Sequence, residues 1–295
     1  MVRILLLLLI LLVLYFVFYY FSDLFKAAKA GGIGKKNFIA FGGIGFIANF
    51  FDTLGVGSFA IITSIVRFFK LTDDRTLPGT LNVSCTIPTV LEAVIFLTVI
   101  KVDKATLILM ILAAVIGAII GADVVAKFDV RKVRIGMGLA LLAVAIIMLS
   151  GMLHFMPVGG TAEGLTGVKL IIAIAGNFIL GALMQLGIGL YAPCMALIYA
   201  LGMNPLVAFP IMMGSCAFLM PAGSAEFVKK EAYDKKASIA ITLFGSVGVL
   251  IAAYIVKSLP LNIVKWLVVV IVIYTAIMLL GSAREVRKQI MEGAH

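Results

Sequence analysis

At 295 residues, 63% hydrophobic and only 13% charged, the chain carries about half the charge of a soluble domain, and a water-soluble globule is excluded. Its formal net charge of +10 lies in short Lys/Arg clusters between apolar runs, the pattern of cytoplasmic loops, so nucleic acid is not expected as a partner. The apolar runs are about 20 residues long without strict alternation, which suits transmembrane helices and not the ~10-residue strands of a barrel. An all-α polytopic membrane protein with the lipid bilayer as its partner is therefore expected, at a mean hydropathy of +1.20.

Taken in chain order, Ile4 to Phe21 is almost purely aliphatic and aromatic. Ala28-Lys29-Ala30 resembles a signal-peptide cleavage site, but the apolar core exceeds the roughly 7–15 residues of such signals, and the site lies beyond Asp23 and Lys26. Residues 1–37 are thus expected to be a retained transmembrane helix and a basic linker. Residues 38–153 follow as a first repeat: an apolar stretch, Phe38–Val66, interrupted by Gly55-Val56-Gly57-Ser58, then spans near Thr76–Ile100, Ala105–Ala126 and Val133–Leu153. A polar linker, 154–167, precedes a second repeat over 168–281. There Val168–Leu201 is interrupted by Gly187-Ile188-Gly189, with spans near Leu206–Val228, Ala237–Val256 and Ile263–Gly281. Residues 282–295 are read as a cytoplasmic tail.

The duplication rests on residue offsets. Gly55, Gly57 and Phe59 fall on Gly187, Gly189 and Tyr191 at an offset of 132, as Pro78 falls on Pro210. Pro88 falls on Pro221 at 133; Asp103 falls on Asp234, and Val133-Arg134 on Val264-Lys265, at 131.

If each glycine-interrupted stretch enters and returns as a re-entrant hairpin, the halves have opposite topology. That arrangement places 18 Lys and Arg inside and 6 outside, against 14 and 10 for single crossings, and the positive-inside rule selects it. A continuous helix over Phe38–Val66 would also be roughly 43 Å long, too long for a core of about 30 Å. The expected fold is two inverted-topology repeats, each a glycine-broken re-entrant hairpin plus three transmembrane helices, with one extra N-terminal helix. The C-terminus is then cytoplasmic, in a bacterial-type plasma membrane.

Glycine-broken helices at matching positions of inverted repeats point to a transporter's binding site. Each break exposes backbone N–H groups at the positive end of a helix dipole, which attracts an anion, and glycine lets the backbone approach it. The candidate substrate-binding residues are Asp52, Thr53, Gly55, Gly57 and Ser58 at the first tip, and Gln185, Gly187, Gly189 and Tyr191 at the second. Asn82, Ser84 and Ser215 join them from the next helix of each half, as small donors to an oxyanion. Asn82 and its neighbours can equally bond their own helix carbonyls. Asp52 and Glu92 lie deepest among the acidic residues, where a carboxylate is costly, and are the candidates for carrying a coupling proton. Asp52 has a structural alternative, a buried bond that holds the hairpin tip. Glu226 near Lys229 reads as an interfacial ion pair. Cys85, Cys194 and Cys216 all lie in apolar runs, and the histidines are only His154 and His295, so no metal, cofactor or catalytic site is expected.

With these motifs the chain resembles the TauE/SafE family of sulfite and organosulfonate exporters. The resemblance is carried by Phe51-Asp52-Thr53-Leu54-Gly55-Val56-Gly57-Ser58-Phe59 and by Pro78-Gly79-Thr80-Leu81-Asn82, and it extends over about 41–281, omitting the N-terminal helix. It departs from the family's longer glycine run followed by proline: the first tip has Ser58 and Ile61 in those places, whereas the second has Leu190 and keeps Pro193. The resemblance implies a secondary transporter of small anions, an exporter of sulfite, sulfonate or related organic anions; H+ or Na+ is the coupling partner to be considered. The alternatives are a small carboxylate or another non-sulfur solute, and then a channel or a membrane enzyme. A homo-oligomer is compatible with this reading.

Overall fold

The computed structural model describes residues 2–29, 37–73, 75–125, 129–153, 160–184 and 189–292. Among them the chain forms eleven α-helices. These are α1 (Val2–Lys29), α2 (Phe38–Thr53), α3 (Ser58–Phe68), α4 (Leu77–Val99), α5 (Lys104–Val125) and α6 (Val130–Met152), then α7 (Gly167–Met184), α8 (Tyr191–Ala200), α9 (Ala208–Lys229), α10 (Lys235–Ser258) and α11 (Leu261–Glu292). A 3₁₀ turn at Pro205–Val207 leads into α9, and the β structure of the described residues is an isolated bridge between Ala162 and Met203. Seven helices are long and apolar enough to cross a membrane. Large side chains exposed along them, such as Leu11, Phe18, Ile171 and Tyr254, face the lipid that their composition requires. The first glycine-interrupted stretch is broken between Thr53 and Ser58, and the second between Met184 and Tyr191.

The chain packs as two compact units, and each draws on both halves of the sequence. Unit 1 is Met1–Ile100 with Met213–Ser258, and unit 2 is Lys101–Met212 with Leu259–His295. In unit 1, α10 packs against both α2 and α4. The inner face of α1 places Phe16 and Tyr20 on Val83 of α4, beside Ala225, Val228 and Tyr233. Polar anchors fix that helix: Asp23 accepts from the Tyr233 hydroxyl at 2.6 Å and from Lys235 Nζ at 2.7 Å, and the Tyr20 and Ser238 hydroxyls lie 3.1 Å apart. Burial, and then the bond to Asp23, push the Tyr233 hydroxyl above its ordinary range. The pair Lys229–Glu226 forms at 2.7 Å, as expected, on an exposed surface. In unit 2, α7 packs along α5 and α6 along α11, with α8 against α6, α7 and α11.

Local geometry recurs at the offsets of the sequence pattern. Asp103 caps α5 by accepting from Thr106 N–H at 2.9 Å, and Asp234 caps α10 by accepting from Ala237 N–H at 2.9 Å. The Thr106 N–H and hydroxyl hold the Asp103 carboxyl below the usual carboxylate range. Helices α3 and α8 end in the same paired turn, Leu71 N–H to Val66 C=O in one and Met203 N–H to Ile198 C=O in the other.

Helix seams recur too. In unit 1, α2 meets α10 through Gly45 on Ile241, Asn49 on Gly245 and Phe46 on Gly248. In unit 2, α7 meets α5 through Asn177 on Met110, Gly181 on Ala114 and Phe178 on Gly117. Each α2 residue stands 132 before its α7 counterpart, and each α5 residue 131 before its α10 counterpart. Small residues at both seams let the backbones come close, which is how helices associate where lipid removes the hydrophobic drive.

Candidate functional site at the broken helix

The first break is built from the run Asp52-Thr53-Leu54-Gly55-Val56-Gly57-Ser58. Val56 N–H donates to Phe51 C=O at 3.0 Å and Gly55 N–H to Asp52 C=O at 2.7 Å, the two bonds of a Schellman stop. That stop needs a left-handed residue at its fifth position, and Gly55 supplies it at φ 101°. Gly57, at φ 91°, then redirects the chain into α3 and has no side chain to cap the new helix. Asp52 provides the cap. Its Oδ1 accepts from Ser58 N–H at 2.8 Å and its Oδ2 from Ser58 Oγ at 2.9 Å. A carboxylate thus sits at the positive end of α3, where the helix dipole favours it.

Helix α4 brings a second set of polar groups to the same place. The Thr53 hydroxyl lies 2.8 Å from Glu92 Oε1 and 2.9 Å from its own helix's Asn49 C=O, and its one proton is shared between these acceptors. The Cys85 thiol is within electrostatic reach of Asp52, Ser58 and Glu92, and lies 3.8 Å from Ser84 Oγ. Asp52, Thr53, Ser58, Ser84, Cys85 and Glu92 are all buried. Two buried carboxyls cost several kcal/mol each if ionised without compensation, so the cluster favours at most one full negative charge. Asp52 already has compensation for the charge, since both its oxygens accept hydrogen bonds.

The other expected site residues fall in different surroundings. Asn82 is half-buried and its amide donates to Pro78 C=O at 3.0 Å, within its own helix. Ser84 Oγ donates to Leu81 C=O at 3.3 Å. Gln185 and Gly187 lie outside the described residues. Gly189 is exposed, Tyr191 opens α8 as a buried residue, and Ser215 is buried in α9. Met184 and Leu190 hold the positions equivalent to Asp52 and Ser58, so the acidic clamp belongs to the first half alone.

Two contributors are absent from the sequence expectations. Asn49, fully buried, donates from its amide to Gly45 C=O at 2.8 Å, one turn before Thr53. Thr242 of α10 donates to Ser84 C=O at 2.9 Å. Pro88 has no N–H, which removes the helical partner of the carbonyl four residues back, Ser84, and the Thr242 hydroxyl replaces it. The proline was legible as a source of a free carbonyl; the donor comes from 158 residues away. Thr242→Val is expected to leave that buried carbonyl unsatisfied at a cost of about 1–3 kcal/mol, measured as a lower midpoint of thermal unfolding in detergent. A Thr242→Ser variant keeps the donor and should lose much less.

Among the described residues, seven helices long and apolar enough to cross a membrane define an integral, multi-pass membrane protein. The family model described as sulfite exporter TauE/SafE matches residues 1–148, half of the chain, and the chain belongs to that family of membrane transporters. The match takes in α1, which the motif resemblance omitted, and it stops within α6. No curated protein and no solved structure matches the chain.

Proposed function

We propose that the protein is a secondary transporter that exports small anions, sulfite or organosulfonates foremost, by alternating access. The observation that carries this reading is the break at Gly55–Gly57, where backbone, hydroxyls and two buried carboxyls meet inside an otherwise apolar chain. Family membership supports sulfur oxyanions as the substrate class. The matching seams and caps support descent of the two halves from one unit, and the distribution of Lys and Arg supports their opposite topology. On this reading both interrupted helices are re-entrant hairpins, and the C-terminus faces the cytoplasm.

Substrate contact is assigned to the tips: Thr53, Gly55, Gly57 and Ser58 in the first half, and Gln185, Gly187, Gly189 and Tyr191 in the second. Asn82, Ser84 and Ser215 are the supporting polar positions. The coupling ion is a proton carried in the Asp52–Glu92 cluster. Glu92 is the better carrier, because both Asp52 oxygens are already engaged by Ser58.

Counterflow in proteoliposomes tests the substrate class. Sulfite, sulfoacetate, other sulfonates and small carboxylates are offered to the purified protein, and saturable exchange of a sulfur oxyanion is the expected result. Saturable exchange of a carboxylate alone would move the assignment to that class, and no saturable exchange of any would sink the anion reading.

A further inference from the structure

The helices that follow the two breaks, α3 and α8, are packed very differently. Of the eleven residues of α3, Ser58, Ile62 and Val66 are buried, whereas eight of the ten residues of α8 are. The contrast holds position by position at the offset of 132. Thr63 is half-buried and Ser64 and Arg67 are exposed, while their counterparts Met195, Ala196 and Tyr199 are buried. The turns that close the two helices differ in the same sense. Lys70 takes the left-handed conformation, at φ 49°, that Gly202 takes at φ 87° with no side chain to strain. Leu71 is half-buried, and its counterpart Met203 is fully buried.

The fastenings differ as well. The turn after α8 is held by backbone: Asn204 N–H donates to Ala162 C=O at 2.9 Å, beside the bridge between Ala162 and Met203. Lys169 Nζ adds a bond to Leu201 C=O at 3.1 Å. Helix α3 is tied at its start by the two bonds from Ser58 to Asp52. Its far end is fastened by a side chain, the Thr72 hydroxyl donating to Asp234 Oδ2 at 3.0 Å. Asp234 Oδ1 meanwhile caps α10, so this bond joins the end of α3 to the start of a well-packed helix. Little burial and a side-chain fastening place α3 at the low-stability end of local opening, from which moving elements are drawn.

We propose that α3 is the moving arm of the transport cycle, swinging about its Asp52-tethered start and latched at its far end by Thr72 on Asp234, while α8 stays fixed. The inference rests on the transport reading and adds to it the element that moves. Helix α3 lies against α2 and α4, the helices that carry Thr53 and Glu92, so its displacement opens the buried polar cluster to substrate. Gly57, immediately before α3, has no side chain and open space where one would stand, so the backbone can turn there. A swing that keeps both Ser58 bonds leaves the Asp52 carboxylate compensated throughout. What the swing gives up is the burial of Ile62 and Val66 and the bond from Thr72.

Hydrogen exchange followed by mass spectrometry on the full-length protein in detergent reads this opening. In wild type the amides of α3 should exchange about tenfold faster than those of α8, or more, after correction for intrinsic rates. Thr72→Val keeps nearly the same volume and loses a donor to a charged acceptor, so exchange in α3 should rise about tenfold with α8 unchanged. Thr72→Ser keeps the donor and should match wild type. Lys169→Met removes the side-chain bond at the end of α8 and should leave that helix protected. In proteoliposomes, counterflow of sulfoacetate by Thr72→Val should differ from wild type by about threefold or more, with Thr72→Ser close to wild type. Equal protection of α3 and α8 overturns the proposal, as does unchanged α3 exchange in Thr72→Val, or raised exchange with unchanged counterflow. If Thr72→Val cannot be recovered folded, the wild-type comparison of α3 with α8 decides. Wild type without saturable counterflow of any anion removes the transport reading instead, and a selectively opening α3 then stands as a property of the fold.

Discussion

Glu92→Gln is expected to abolish the dependence of net anion flux on a proton gradient while leaving anion exchange intact. The argument begins with geometry. Glu92 is fully buried on α4, and its Oε1 accepts from the Thr53 hydroxyl at 2.8 Å. Glutamine keeps that acceptor oxygen and nearly the same volume, so the contact with the broken helix should persist and the protein should fold. What it loses is the ability to take up and release a proton. Net export coupled to protons needs that cycle on every turnover, whereas exchange of one anion for another needs only the substrate half of the cycle. Flux driven by an imposed pH difference should therefore fall about tenfold or more, with counterflow within about twofold of wild type. Equal pH dependence in wild type and Glu92→Gln would remove Glu92 from the coupling role. If Asp52→Asn alone lost the dependence, the proton would belong to Asp52.

The fold was legible in the sequence to the extent that it is local. Helices α4 to α6, α9 and α10 lie close to the expected spans because each is a single apolar run closed by charged or glycine-rich segments, whereas α11 begins as expected but runs on to Glu292, through residues read as a tail. The break at residues 54–57 was legible too, since two glycines in an apolar stretch are costly unless the chain must turn there. The role of Asp52 was legible only as one of two alternatives. A buried acid beside a break can carry a proton or cap the next helix, and its two bonds from Ser58 show the cap. Asn82 stood out for its amide, and one N–H of that amide donates to Pro78 C=O within its own helix. Helical Asn and Ser have that option wherever a carbonyl lies one turn back. Asn49, Asn177 and Thr242 escaped notice for the opposite reason. Their importance comes from helices distant in sequence, α10 for Asn49, α5 for Asn177 and α4 for Thr242, and neither period nor motif signals such a partner.

The seams make the largest stability prediction. A Cβ on Gly117 of α5 would collide with the Phe178 carbonyl oxygen of α7, and one on Gly248 of α10 with the Phe46 carbonyl oxygen of α2. Both obstacles are backbone atoms within a helix, so no side-chain rotation relieves them and the two helices must separate. Overpacking in a well-packed interior costs about 1–3 kcal/mol when side chains can yield. Here Gly117→Ala and Gly248→Ala should each reach the upper part of that range, and Gly117→Leu should abolish recovery of monodisperse protein. Gly43 of α2 and Gly136 of α6 are the controls, because a Cβ at either meets nothing within 4 Å. Alanine there should be neutral or slightly stabilising, as it is in an unobstructed helix. Unfolding midpoints of the four alanine variants in one detergent make the comparison. Equal midpoints for Gly117→Ala and Gly136→Ala would show that α5 and α7 do not meet at the close approach described. If the two halves carry the same seam, Gly117→Ala and Gly248→Ala should also lose similar amounts, although they lie 131 residues apart in different units.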